Sequence, residues 1–321
     1  MPQFQLSGNR VGLGLAAVGR PAYINLGRDR DLPSGRGRDD LRQRAYLLLD
    51  RAYSLGVRYF DVARSYGAAE EFLGGWLRAH PLEAQEVVCG SKWGYTYVGD
   101  WRMDAPVHEV KDHSLAALIR QYAESRQLLG EHLQLYQIHS ATPESRVLRD
   151  QQVLAHLLAL RRSGLAIGLT VSGPHQAAVI GDAMEVAVDG ENPFSCVQAT
   201  WNLLEQSAGP ALLRARQAGW RVLVKEAMAN GRLLDGEDRR LRPLHELAGR
   251  LGRPLDQVAL AAVLHQPFVD LALSGAVTVE QLESNVAAAQ LVVPPSELAS
   301  LARLALPSAQ YWEERRHLLW S

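Results

Sequence analysis

Eight short runs of apolar and β-branched residues recur along this 321-residue chain, at residues 10–15, 58–62, 87–92, 133–139, 167–171, 196–199, 221–225 and 271–274. Turn-forming residues bound them, as they bound strands. Most runs are continuously apolar rather than alternating, which is the pattern of parallel strands buried on both faces. Helical patterns lie between them. Leu48, Ala52 and Leu55 share one face of 41–55. Phe72, Leu73, Trp76 and Leu77 do so in 70–79, and Leu115, Leu118, Tyr122 and Leu129 in 114–129. Further helical patterns cover 146–162, 176–187, 208–218 and 254–266. Regular strand-then-helix alternation produces right-handed βαβ units and a parallel sheet. Eight such units in a chain of this length predict an α/β fold of the closed (β/α)8 type, a TIM barrel, as one domain over residues 1–321. An open doubly wound sheet would carry a G-x-G-x-x-G turn after its first strand. Here Gly12-Leu13-Gly14 lacks the third glycine and opens no helix.

Composition removes several function classes. With 34 basic against 35 acidic residues the net charge is -1, which is not the footprint of a nucleic-acid binder. No uninterrupted apolar stretch reaches the length of a membrane span. The first residues lack the basic and apolar regions of a secretory leader, so a cytoplasmic protein is expected. Cys89 and Cys196 make neither a disulfide framework nor a zinc site and read as inert core thiols. A metal hydrolase would show His-x-His or clustered carboxylates at its strand ends, and these are missing, so no metal is expected. Nothing in the sequence sets an oligomeric state. Only three of the 34 basic residues are lysines: Lys92, Lys111 and Lys225. In a chain so biased toward arginine, a retained lysine marks a place for a compact, titratable amine.

In barrel enzymes the chemistry collects at the C-terminal ends of the strands. Those ends carry Asp61, Lys92, His139 and Lys225, with Tyr66 five residues beyond Asp61. Taken singly, each has a bland reading: a helix cap, a surface amine, a packed ring. Together they form a proton-transfer set. An ammonium favours the phenolate of a neighbouring tyrosine and is expected to lower its pKa. A carboxylate holds the ammonium, and a histidine polarises the substrate, so the tyrosine acts as general acid. A Schiff-base aldolase using Lys92 or Lys225 would leave the tyrosine and histidine unexplained. A non-catalytic, nucleotide-binding regulatory barrel would not need the full set.

The same segments resemble the aldo-keto reductase superfamily. They are 11–15, the block Gly56 to Gly67 with Glu70, Leu73 and Gly74, Ser91-Lys92, 135–139, 167–172, Gln198 with Trp201-Asn202, 231–233, and Ser274 to Ala276 with 280–282 and Asn285. The resemblance covers about residues 8–290, in the family's order. It implies a (β/α)8 barrel that binds NADP(H) or NAD(H) and interconverts an aldehyde or ketone with its alcohol. It implies the catalytic set Asp61, Tyr66, Lys92 and His139. It places Ser172 and Gln198 at the nicotinamide carboxamide, and Ala227, Met228 and Gly231 along the pyrophosphate. Ser274, Gly275, Gln281 and Asn285 fall at the adenosine end, where a helix N-terminus suits an anion. Three positions depart from the family pattern. Gly173 stands where asparagine is usual. Lys225 stands where an aromatic commonly stacks on the nicotinamide. Gln281, beside Glu280 and Glu283, stands where a cation commonly holds the 2'-phosphate.

The substrate is expected to be a small carbonyl compound or alcohol, such as a sugar or an aryl carbonyl. Trp93, Tyr95, Tyr97 and Trp101, with Trp201 and Trp312, are expected to build an aromatic mouth for it. The long segment 94–112 is expected to act as a lid. Residues 27–40 read as an exposed loop, and the aromatic tail 308–321 is expected to dock on the barrel.

Overall fold

The computed structural model describes residues 4–32 and 36–320. Residues 1–3, 33–35 and 321, which belong to the N-terminus, the loop at 27–40 and the tail, lie outside the described residues. In chain order the strands are β1 (Val11–Gly14), β2 (Tyr59–Asp61), β3 (Val88–Trp93), β4 (Tyr95–Tyr97), β5 (Glu109–Lys111), β6 (Leu133–Ala141), β7 (Ala166–Val171), β8 (Cys196–Thr200), β9 (Arg221–Lys225) and β10 (Leu271–Ser274). The helices are α1 (Arg28–Asp31), α2 (Arg38–Ser54), α3 (Ala69–Ala79), α4 (Leu115–Leu129), α5 (Gln151–Arg162), α6 (Gln176–Met184), α7 (Gly209–Gln217), α8 (Arg242–Leu251), α9 (Leu255–Leu264), α10 (Val279–Ala287), α11 (Pro295–Leu301) and α12 (Ser308–Arg316).

Eight strands close a parallel barrel in the order β1-β10-β9-β8-β7-β6-β3-β2. Each matches one of the eight apolar runs to within about two residues, because every one is buried on both faces. The barrel's N-terminal end is plugged by Phe4, which packs on Tyr59, Val88, Leu135, Ala166, Cys196, Leu223 and Leu271. That end is a sealed apolar layer, so chemistry is confined to the other end. No helix among the described residues is long and apolar enough to cross a membrane.

Three features depart from the expected layout. Segment 94–112 carries an antiparallel hairpin, β4 against β5, rather than a structureless lid. Helices α8 and α11 were not expected, and the tail docks as helix α12 with Tyr311 and Trp312 buried. Within 27–40, Arg28 is fully buried instead of exposed. Its guanidinium donates to the carbonyls of Ala17, Arg20 and Pro21 at 2.6–3.1 Å. It thereby fixes the loop that follows β1.

Candidate active site

Adjacent strand ends build the floor of the barrel mouth. Asp61 ends β2 and pairs with Gly90 of β3 in register. One carboxylate oxygen forms an ion pair with the Lys92 ammonium, which also donates to the carbonyl of Val62 at 2.9 Å. The other oxygen accepts from Gln198 Nε2 at 2.8 Å and from the Tyr59 hydroxyl at 3.2 Å. A Cβ at position 90 would come within 2.1 Å of that hydroxyl, so glycine is what lets Tyr59 reach the carboxylate. A buried ion pair repays its desolvation only when its remaining hydrogen-bonding capacity is met. Here both carboxylate oxygens and the amine are engaged.

Tyr66 lies in the turn after β2. Gly67 adopts φ 59°, and a Cβ there would approach the carbonyl oxygen of Gly19 to 2.4 Å. A Cβ on Gly19 would approach the Tyr66 carbonyl oxygen equally closely. The loops after β1 and β2 therefore pack backbone against backbone, which fixes the phenol ring. Lys92 Nζ sits 4.8 Å from the ring centroid, and the His139 imidazole meets it edge-on at 5.5 Å. Glu70 is a support beneath the floor. Its buried carboxylate accepts from Ser91 on β3 and Ser125 on α4 and pairs with Arg64.

Burial dominates the electrostatics. Burial, then the Asp61 charge, hold the Tyr66 phenol well above its usual range. This corrects the expectation that Lys92 lowers it. The ammonium is already matched by Asp61, so it does not act as a bare cation toward the phenol. Burial also lowers Lys92, with Asp61 opposing. It holds His139 well below the usual imidazole value, helped by Lys92, Lys225 and Arg20. At neutral pH the mouth therefore presents a protonated phenol beside a neutral imidazole. Ser65 Oγ lies 3.4 Å from His139 Nδ1.

A cleft of about 1350 Å³ starts at Asp61, Tyr66 and His139. It passes Ser172, Gln198 and Lys225, follows the turn at Ala227, Met228 and Gly231, and ends at Ser274, Gly275, Gln281 and Asn285. Small-molecule pockets run to roughly 1,000 Å³, so this one has room for a long, two-headed ligand. Its walls carry polar groups in series. Lys225 donates to Ser172 Oγ at 2.6 Å. Asn230 Oδ1 is buried without a partner. At the far end Ser274 donates to Asn285, which donates to Asp256, and Thr278 caps α10. A nicotinamide dinucleotide fits this shape and donor set.

Comparison with known proteins agrees. The model of the Aldo/keto reductase family matches residues 34–305. The chain is 26% identical to norsolorinic acid reductase from Aspergillus flavus, over 80% of this chain and 70% of that one. It is 25% identical to L-glyceraldehyde 3-phosphate reductase from Escherichia coli K12, over 91% and 89%. Among solved structures it shares its fold with an aldo/keto reductase from Klebsiella pneumoniae in complex with NADP and acetate. That match has a TM-score of 0.67 and 24% identity, covering 94% of this chain and 92% of that one.

The chain belongs to the aldo/keto reductase family. It is an NAD(P)(H)-dependent oxidoreductase of carbonyl substrates. Of the tryptophans expected in its mouth, only Trp312 lines the cleft. Trp93 is fully buried beneath the mouth, against His113. Trp201 is buried against Phe268. Trp101 donates to the carbonyl of Arg36 and, with Tyr97, borders a separate shallow depression. At a strand end, residue type alone does not say whether a ring turns inward or outward.

The reductase has further residues around the cleft that, Glu226 apart, no sequence pattern singles out. Arg20 is buried, donates to Ser65 and Glu109, and lies over the rings of Tyr23, Tyr66 and Trp320. Trp320 stacks on His108, which draws the tail across the segment 94–112. Glu226, at φ 54°, receives a two-pronged ion pair from Arg315 of α12. Arg315, with Lys225, outweighs burial and holds the Glu226 carboxyl at about 2. At the far end Asp31 accepts from Gln281 at 2.6 Å. The one sequence signal for any of these was the position of Glu226, directly after a strand-end lysine.

Proposed function

We propose that Tyr66 is the proton donor for reduction of an aldehyde or ketone held over the barrel mouth, with a nicotinamide dinucleotide lying along the cleft. The observation that carries this is the protonated, buried phenol beside a neutral imidazole on a floor fixed by the Lys92–Asp61 pair. When bound, the reduced nicotinamide supplies the hydride. Everything else falls to side chains. If Ser65 donates to His139 Nδ1, then Nε2 bears the hydrogen and polarises the carbonyl oxygen. Tyr66 delivers its proton to the same oxygen as negative charge develops there. Asp61 and Lys92 act as positioning residues. Ser172 and Gln198 stand where the carboxamide would bind, and Ser274 to Asn285 where the adenosine would. Lys92 is buried and held by Asp61 and Val62, which disfavours a Schiff-base role.

The far end of the cleft is acidic. Asp31, Asp256 and Glu280 line it together with Arg30. Gln281 is already held by Asp31, and Arg232 is turned away onto the Tyr311 ring at 4.1 Å. This supports weak discrimination between NADPH and NADH. The substrate reading is a flat ring or a sugar, because Tyr23, Tyr95, Trp312 and Trp320 wall the mouth.

Tyr66→Phe tests the assignment, because it removes the proton and keeps the ring. Turnover in a screen of aldehydes and sugars is expected to fall by roughly 10²–10⁴-fold. Dinucleotide dissociation constants should hardly change. Turnover within about threefold of wild type would exclude Tyr66 as the general acid.

A further inference from the structure

Lys225 is a half-buried cation with no ion-pair partner among the described residues. It ends β9, in register with Thr200 of β8, and its ammonium donates to Ser172 Oγ at 2.6 Å. The carboxylate beside it in sequence, Glu226, is taken on both oxygens by Arg315. Lys225, Ser172 and Gln198 share one stretch of the cleft wall, next to Asp61 and Tyr66. On the reading above, the ring that gives its hydride to a carbonyl held by Tyr66 lies against that stretch. The ring would then lie beside Lys225.

The two redox states of that ring differ in charge. The dihydronicotinamide is neutral, whereas the oxidised nicotinamide is a cation. In a partly dry cleft, charges a few ångströms apart interact strongly. We propose that the Lys225 ammonium selects the redox state of the bound cofactor, weakening the oxidised form relative to the reduced form. This rests on the reading that the nicotinamide lies at the Tyr66 end of the cleft. Its consequence is a site that takes up the reduced cofactor in preference to the oxidised one and readily releases the spent form. An aromatic ring at the same place would stack on both states and could not distinguish them by charge.

The amine is also placed to titrate. Burial lowers it to about 8, despite the Glu226 charge, with Arg315 and Lys92 pushing the same way and Asp61 opposing. The groups facing it are Ser172 just after β7, Glu226 beside it after β9, and Arg315 from α12. Asp61, Lys92 and His139 face it from β2, β3 and β6. Losing the ammonium at high pH removes the selection.

The test is to titrate wild type, Lys225→Met and Lys225→Arg with NADPH, NADP+, NADH and NAD+ at pH 7, following protein fluorescence. The readout is the ratio of oxidised to reduced dissociation constants. It is expected to fall at least tenfold in Lys225→Met and to stay within about threefold of wild type in Lys225→Arg, which keeps the charge. In wild type the ratio should also fall as pH rises through 8, and in Lys225→Met it should stay flat. A Lys225→Met ratio within twofold of wild type overturns the inference while leaving the Tyr66 reading intact. If Lys225→Met does not fold, the wild-type pH series decides, and a flat series overturns the inference. Wild type that binds none of the four dinucleotides overturns the reading on which it rests, and the inference with it.

Discussion

Lys92 and Lys225 stand at strand ends on opposite sides of the barrel, four strands apart in the closed order. The scarcity of lysine singles out both, and the structure gives them opposite surroundings. Lys92 is matched by Asp61, so the pair presents almost no net charge to the mouth. Lys225 has a hydroxyl for a partner and keeps its charge in the cleft. Burial alone therefore does not define a lysine's role. A matched amine acts as a fixed part of the floor, whereas an unmatched one projects a charge that pH or a ligand can change.

Breaking the matched side should have the largest effect. Lys92→Met strands the Asp61 carboxylate in the core. Loss of one partner of a buried pair costs about 3–5 kcal/mol, measurable as a shift in urea unfolding, and turnover should collapse with it. Lys92→Arg should not rescue turnover, because a planar fork cannot replace a compact ammonium enclosed by Asp61 and Val62. Wild-type turnover in Lys92→Arg would mean that the pair is not a fitted unit.

The same substitution on the other side should behave differently. Lys225→Met removes a half-buried charge that no carboxylate pairs with directly, since Glu226 is held by Arg315. Its stability at pH 7 should match or exceed wild type, within about 1 kcal/mol. The pH dependence sharpens the contrast. Below about 8 the amine is charged in both folded and unfolded chains. Between about 8 and 10.5 the folded chain releases the proton and the unfolded chain keeps it. The unfolded state then binds more protons, so wild-type stability gains on the variant as pH rises through that window. Parallel unfolding curves from pH 7 to 10 would show that Lys225 is better matched than its contacts indicate.

The smallest effect lies at the acidic far end of the cleft. NADPH and NADH should differ in dissociation constant by about tenfold or less, roughly 1.4 kcal/mol. Gln281→Arg should favour NADPH only slightly, because Asp31 would capture the guanidinium. Adding Asp31→Asn should release it and enlarge the shift. A wild-type preference for NADPH above about a hundredfold would mean that a cation elsewhere reads the 2'-phosphate.

The eight barrel strands were legible because most are continuous apolar runs, a signal that survives without knowing its neighbours. Asp61, Lys92 and His139 were legible because strand ends are where a barrel exposes polar groups. Other features depend on contacts between distant segments. Nothing in an arginine-rich, aspartate-rich stretch announces that Arg28 will be buried under three carbonyl groups. Strands β4 and β5 are three residues each and half exposed, too short to display a period. Helix α8 is different: Leu244, Leu247, Ala248 and Leu251 follow a helical spacing, and the signal was there to be read. That Trp93 and Trp201 turn away from the cleft is settled by packing that no local pattern encodes.

The closing seam of the barrel ties the two ends of the chain to the cleft. Strand β1 lies beside β10, with Val11 opposite Ala272, and Arg10 donates to the carbonyl of Val269, 259 residues further along the chain. Contacts between segments so far apart form late in folding. Gly14 on one lip of the seam and Ser274 on the other both face the cleft. A dinucleotide held along the proposed cleft would touch both lips of that seam. Ligands that bind only the folded chain hold it folded by mass action. A nicotinamide dinucleotide seated across the seam is therefore expected to raise the unfolding midpoint as its concentration rises, independently of any reaction the protein carries out.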